Sequence, residues 1–260
     1  MMAMLAFGLV VTTFDPDSVV ARDSARSLNS PPWWEANATA SGEAFVSRLS
    51  AWQWHSVAAR YRGTSESHGI EAFSARRYGT WNSGFSLEES STLGRGAYVA
   101  IRAQLAPGAT VVPRSDLSAT WYQSIGDGWE IVPSARYMSF SDARVPIWGL
   151  GLGRYVGLWY LSGRVTRASQ AGEHGVTTSA SVRRYAADGA STFIDVGVSY
   201  GHELAVLGPS IVALRRTASA TTRGQRMVSS NVGVSVAITY DANASLPDRR
   251  GAVLSMFVRW

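Results

Sequence analysis

The sequence contains no cysteine in its 260 residues, which excludes disulfides, thiolate nucleophiles and cysteine-ligated metals. Lysine is also absent: all 24 basic residues are arginine, set against 19 acidic ones for a net charge of +5. Two readings fit an all-arginine inventory. One is GC-rich codon usage; the other is a need for planar guanidinium groups that grip carboxylate or phosphate with two hydrogen bonds. Charged residues make up only 17% of the chain, below the roughly 25% of ordinary soluble domains. No stretch reaches the roughly 18 uncharged apolar residues of a spanning helix; the longest early apolar run is stopped at Asp15. Yet mean hydropathy is -0.02, and 10 Trp and 10 Tyr are present. Near-neutral hydropathy with many aromatics fits a membrane class whose strands alternate apolar and polar residues and so average out.

Recognisable catalytic and metal-binding patterns are missing too. His55, His68, His174 and His202 are scattered, with no His-x-x-x-His spacing, so no metal site is expected. No Gly-x-Ser-x-Gly elbow occurs. An enzyme would have to be assembled around His174 and His202, which fall in connections expected outside the membrane. Gly149, Gly151 and Gly153 alternate as in a strand, with no helix pattern after them, so they do not form a phosphate loop. No catalytic residues, no cofactor and no nucleic-acid partner are expected. The sequence pI is about 9.8, but the arginines are spread along strands and form no basic patch for nucleic acid.

The chain opens on a short apolar stretch with small residues after it. Residues 1–26 therefore read as a signal-like segment, lacking its basic start because no arginine precedes Arg22. Residues 27–41, rich in Ser, Asn and Pro, read as a linker, with Trp33 and Trp34 placed to anchor at a membrane interface. Residues 42–260 read as one barrel.

Within that span, period-2 runs recur every 10–16 residues between Gly, Asp, Asn and Ser turns. In residues 193–200, Ile194, Val196, Val198 and Tyr200 share one face, and Asp195, Gly197 and Ser199 the other. Residues 98–105, 176–185 and 231–240 alternate in the same way. Further runs lie near residues 52–62, 69–79, 83–93, 115–124, 128–140, 145–154, 157–167, 207–217 and 252–260. The polar faces carry Gly and Ser in place of long charged side chains. That suits a crowded lumen better than a solvated surface, so the apolar face is assigned to lipid. The fold class is therefore an all-β, antiparallel, up-and-down transmembrane barrel. Thirteen runs are countable, and both termini on the periplasmic side require an even number. Twelve strands are expected, and fourteen next, if a strand near residues 42–50 is missing from the count.

Short connections at residues 93–96, 126–128, 154–157 and 187–190 alternate with longer ones at 106–116, 167–175, 202–209 and 241–251. This is the pattern of periplasmic turns and extracellular loops. The last strand ends on Trp260, with Val258, Met256 and Leu254 on the same face. A terminal aromatic on an alternating strand resembles the signature read by the barrel-assembly machinery, an expected partner.

Residues 114–203 carry a more specific resemblance. They contain Leu117-Ser118-Ala119-Thr120-Trp121-Tyr122-Gln123, then Gly126-Asp127-Gly128-Trp129-Glu130 and Ala135-Arg136-Tyr137 with Phe140. Next come Gly151-Leu152-Gly153-Arg154-Tyr155-Val156-Gly157-Leu158-Trp159-Tyr160 and Arg183-Arg184-Tyr185 with Gly201. This segment resembles the YaiO-type outer-membrane β-barrel family. The resemblance implies a bacterial outer-membrane barrel. In some relatives the domain follows a tetratricopeptide-type array, and several sit near exopolysaccharide systems. Residues 1–41 carry no such helical repeat.

Strand parity sends Arg102, Glu130, Arg136, Arg164, Arg183 and Asp195 into the lumen, whereas Glu71 and Arg76, at odd spacing, cannot share a face. The arginines either line an anion-favouring aqueous path or pair with Glu130 and Asp195 and plug a narrow barrel. The expected function is thus a narrow channel or envelope transport component with an arginine-lined lumen. The alternative is a plugged barrel that docks a polysaccharide or envelope protein. Tyr155, Tyr185, Tyr200, Tyr240 and Trp260, near strand ends, are expected at the membrane interface among outer-membrane lipids. Heating should shift the gel mobility of the membrane-fraction protein, as a closed barrel resists detergent until boiled; a protein that stays soluble without detergent would refute the membrane assignment.

Overall fold

The computed structural model describes residues 32–45, 52–94, 96–187, 189–208, 211–243 and 247–260. They form fourteen strands: β1 (Trp33–Phe45), β2 (Trp52–Arg62), β3 (Glu66–Arg77), β4 (Thr80–Gly94), β5 (Ala97–Leu105), β6 (Ser115–Gly126), β7 (Trp129–Ser139), β8 (Arg144–Val156), β9 (Trp159–Gln170), β10 (Glu173–Ala186), β11 (Gly189–Gly208), β12 (Ile211–Met227), β13 (Val232–Asn243) and β14 (Arg249–Arg259). Each strand pairs antiparallel with its sequence neighbours, and β1 pairs with β14 to close the barrel. The closing register runs from Glu35↔Arg259 to Phe45↔Arg249. Beyond it, the amide of Trp34 donates to the carbonyl of Trp260 at 2.8 Å, and the return bond is 3.0 Å.

The thirteen countable runs are all strands, and the fourteenth is β1. The expectation of twelve strands is corrected to fourteen, and residues 33–41, read as linker, belong to the barrel wall. The signal-like segment, residues 1–26, lies outside the described residues.

The start of β1 and the end of β14 sit at one end of the barrel, here the terminal end. The turns there are short, as at Asp127-Gly128 and between β8 and β9. At the far end the β5–β6 connection, residues 106–114, is the longest described. Two of the connections read as long are instead strand. β9 runs to Gln170 and β10 starts at Glu173, while β11 continues to Gly208. His174 and His202 are thereby strand residues. Three two-residue turns, Tyr78-Gly79, Asp127-Gly128 and Ala171-Gly172, place both central residues at positive φ, between 49° and 86°. That geometry matches the right-handed twist of the strands it joins.

Alternation sorts the side chains. Outward positions such as Ile70, Leu87, Leu150, Val198, Ile238 and Leu254 are each more than half exposed, forming an apolar band for lipid. Arg167 pairs with Val176, and Arg184 lies eight residues further along β10. That separation is about 26 Å along the strand, or about 20 Å of height after tilt, enough to frame a hydrocarbon layer between the two guanidiniums. Inward positions carry Ser, Thr, Gly and paired charges.

At Gly201 the backbone has φ 151°, and a Cβ there would lie 2.2 Å from the Val176 carbonyl oxygen and 2.4 Å from the Thr177 Cα. Past this point the top of β11 leaves the barrel wall. Gly201→Ala should therefore cost about 3 kcal/mol or more. Gly79→Ala, also at positive φ but with nothing within 4 Å, should cost only about 1 kcal/mol. Urea unfolding followed by the loss of the compact gel band measures both.

Candidate functional site

The lumen is built from parity. On β1 every inward residue from Glu35 to Glu43 is polar: Glu35, Asn37, Thr39, Ser41 and Glu43. On β2 the inward set ends in Arg60 and Arg62, and on β14 in Arg259. These charges meet across strands in one chain of alternating sign. Arg259 Nε lies 3.0 Å from Glu35 Oε2, and Arg60 reaches both Glu35, at 3.8 Å, and Glu88. Arg102 continues it, 3.4 Å from Glu88 and 2.7 Å from Glu71, whose carboxylate also accepts from the Ser86 hydroxyl. Glu35 and Glu88 thus each see two guanidiniums, and Glu71 one guanidinium and a hydroxyl, which offsets the desolvation of charges inside a barrel wall.

Higher up, Arg249 Nε lies 3.0 Å from Glu43 and its Nη2 lies 2.9 Å from Asp241. Two guanidiniums lie over the Trp52 ring, Arg77 at 4.4 Å and Arg249 at 5.2 Å from its centroid. On β7, Arg136 grips Asp116 of the neighbouring β6 through two nitrogens at 2.9 and 2.5 Å.

The far mouth is covered from two directions. The β5–β6 connection folds inward and buries Ala106, Ala109, Val111 and Val112. Asn82 Oδ1 accepts the amides of Thr110 and Val111 at 3.0 and 2.9 Å, and Arg77 donates to the Val111 carbonyl at 3.2 Å. Gly84 makes the room: a Cβ there would meet the Leu105 carbonyl at 2.3 Å and the Ala106 Cβ at 2.9 Å. From the other side the β11–β12 tip leans over. Val206, Val212 and Leu214 pack on Met138, Phe140 and Val145, and the Tyr78 hydroxyl donates to the Val206 carbonyl at 2.6 Å. Burial raises the Tyr78 pKa, keeping its phenol a donor.

The terminal end is filled on the opposite side by Tyr160, Tyr185 and Phe193, with Tyr155 against them. Glu130 accepts from the Tyr160 hydroxyl at 2.5 Å. Arg183, directly opposite Asp195 in register, binds it at 2.7 and 2.6 Å and lies 4.5 Å from the Phe193 ring centroid. Tyr155 and Tyr185 therefore point inward, a correction of their expected interface position: Tyr185 shares the parity of Arg183, and Tyr155 that of Gly151 and Gly153. Tyr200, Tyr240 and Trp260 face outward and are exposed. So is Arg76, which sits over Trp81, whereas Glu71 lines the lumen.

Between these fillings a cavity of about 550 Å³ runs through the lumen, lined by residues of every strand but β10. Its lining reaches from Arg259, Glu35 and Gln225 at the terminal end to Phe45, Trp52 and Asn243 at the far end. Of the six lumen charges read from parity, Arg102, Arg136 and Arg164 line this cavity, while Arg183, Asp195 and Glu130 sit in the aromatic packing beside it. Sequence reasoning missed Arg60, Arg249, Arg259, Glu35 and Glu43. The same face alternation identifies Arg60, which shares the parity of Trp54, Ser56 and Ala58. On the outer rim Ser169 Oγ and His174 Nδ1 meet at 2.8 Å, but among the described residues no carboxylate or amide orients the ring as a catalytic set requires.

The aromatic packing gives a stability prediction. Arg183→Ala removes the guanidinium that binds the buried Asp195, leaving Arg223 opposite it in register, and should cost about 3 kcal/mol. The double change Arg183→Met, Asp195→Leu should recover most of that in the same urea titration.

Two solved structures resemble this barrel in fold. A bacterial polysaccharide outer membrane secretin matches with a TM-score of 0.52 and 6% identity, over 88% of this chain and 98% of that one. The KdgM porin in complex with disordered oligogalacturonate matches with a TM-score of 0.51 and 8% identity, over 86% of this chain and 98% of that one. At such identities the likeness is one of fold alone. No curated protein matches the sequence. The YaiO membrane beta barrel domain matches residues 35–203, most of the chain. With the closed fourteen-strand wall and its apolar outer band, that match places the protein in the bacterial outer membrane, and the chain belongs to the YaiO membrane beta barrel family.

Proposed function

We propose that this barrel is a narrow outer-membrane channel for small polar or anionic solutes, with an arginine-rich lumen constricted at the extracellular mouth. The observation that carries this reading is the cavity whose lining extends to both ends of the barrel. Arginines outnumber carboxylates among its lining residues, which favours anions in a low-dielectric wall. Serine, threonine and asparagine on β1 and β13 offer neutral hydrogen-bond partners to a passing solute. In this reading Arg102, Arg136 and Arg164 shape the path, while Arg183, Asp195 and Glu130 lock the filling beside it. The chemistry is transfer without bond making, so no residue is assigned a catalytic role. Residues 1–26 serve export, and the final strand, ending on Trp260, engages the barrel-assembly machinery.

One observation favours a second reading. The mouth is covered by the inward β5–β6 connection and the β11–β12 tip, as in a plugged barrel that docks an envelope protein or polysaccharide.

Planar-bilayer recording separates the two. The wild-type barrel should give a small, anion-preferring conductance. Replacing residues 107–112 by a two-residue turn should raise it several-fold, and Arg164→Glu should lower the anion preference. No current from wild-type protein that shows the heat-dependent gel shift would overturn the channel. Current appearing only after the loop is removed would establish the plug.

A further inference from the structure

The outward surface holds a second feature that the lumen does not explain. Strands β8 to β14 carry no aspartate or glutamate at any outward strand position among the described residues, but they do carry arginines at both edges of the apolar band. At the extracellular edge Arg144, Arg167 and Arg216 all face out and are exposed. Arg167 stands in register with Trp148 on one side and Val176 on the other. Trp148 is 64% exposed and Tyr200 53%. Arg216 donates to the Tyr200 hydroxyl and lies 5.0 Å from the ring centroid, so its guanidinium is held down against the barrel at the level of the band. β9 to β12 is three strand spacings, about 14 Å. Arg250 is left out of this set because the neighbouring Asp248 accepts from Tyr240 beside it.

A cation at the edge of a hydrocarbon layer with no carboxylate to pair is costly unless the membrane supplies the anion. Guanidinium suits phosphate because it donates two parallel hydrogen bonds. The flanking Trp148 and Tyr200 give flat apolar faces on which sugar rings and the first acyl carbons can lie. The far end, opposite the start of β1 and the end of β14, faces the outer leaflet. We propose that the β8–β12 rim is a binding site for the phosphorylated glycolipid of the outer leaflet, with Arg167 and Arg216 each holding one phosphate of a bisphosphorylated disaccharide and Trp148 and Tyr200 seating its sugar and acyl roots. The site is independent of whether the lumen conducts.

Purified barrel in neutral detergent, titrated with bisphosphorylated lipid A and read by native mass spectrometry, tests this. The wild type should retain one lipid A, and monophosphorylated lipid A should bind about tenfold more weakly, the loss of one charge-assisted phosphate contact. The pair Arg167→Ala, Arg216→Ala should weaken bisphosphorylated lipid A by about tenfold or more while keeping the heat-dependent gel shift. The charge-preserving pair Arg167→Lys, Arg216→Lys should bind more weakly than wild type and more tightly than the alanine pair, because an ammonium keeps the charge but not the two parallel hydrogen bonds. The pair Arg154→Ala, Arg184→Ala, on the same face at the other edge, should change nothing. Equal retention of phosphatidylglycerol, displacement by millimolar inorganic phosphate, an undiminished Arg167/Arg216 alanine pair, or an equal loss in the Arg154/Arg184 pair would each overturn the assignment.

Discussion

Everything in this molecule depends on the pairing of its first strand with its last. In hydrocarbon no water can satisfy a free strand edge, so a sheet survives there only if it closes. Eleven register pairs, from Glu35↔Arg259 to Phe45↔Arg249, make that closure. Once the ring is closed, each residue's parity fixes whether it meets lipid or lumen. The outer face then needs only apolar bulk, and the inner face inherits every polar group the chain must hide.

Fourteen strands enclose more space than their own side chains fill, since a barrel of about eight is already full. The chain fills the surplus by three means. The β5–β6 connection and the β11–β12 tip close the far mouth with apolar residues. An aromatic group around Tyr160, Tyr185 and Phe193 fills one side of the terminal end. The ion chain from Arg259 to Glu71 lines the remaining side without occupying it. The cavity persists where the inward residues are short, as Asn37, Thr39 and Ser41 on β1 and Ser235, Ala237 and Thr239 on β13, or paired to the wall.

Much of this was legible in the sequence. Thirteen strands announced themselves by alternation, and the family resemblance over residues 114–203 marks the second half of a longer match that begins at residue 35. β1 was hidden for a physical reason. Its outward residues after Trp34 are Ala36, Ala38, Ala40, Gly42 and Ala44, too small to register as an apolar face, and Pro31 and Pro32 just before it suggest a linker. Tyr155 and Tyr185 were misplaced because proximity to a strand end was weighed above parity, which already set Tyr185 with Arg183. The partners of the lumen arginines could not be read at all. Asp116 meets Arg136 diagonally across two strands, and Glu71 meets Arg102 across β4, so register has to be known first. The inward fold of residues 106–114 is likewise tertiary: it depends on Gly84 yielding space and on Asn82 receiving two amides.

The all-arginine inventory takes on meaning from where the guanidiniums lie. Codon usage alone would leave the geometry that the arginines adopt without a reason. Arg136 and Arg183 each hold one carboxylate with two nitrogens, a planar fit that a single ammonium cannot make. Arg77 and Arg249 both lie over the Trp52 ring, and Arg183 lies against Phe193. A weakly hydrated, delocalised cation stacks in this way at less desolvation cost than a compact one. Inside the barrel this lets charge be packed among aromatics, so that the same residues that set the field of the lumen also hold its filling in place. A lysine-rich lumen of equal net charge would need water around each ammonium, and the wall along β9 to β11 would have no dry packing to offer. The narrowness of the remaining cavity is therefore a consequence of arginine chemistry as much as of strand number.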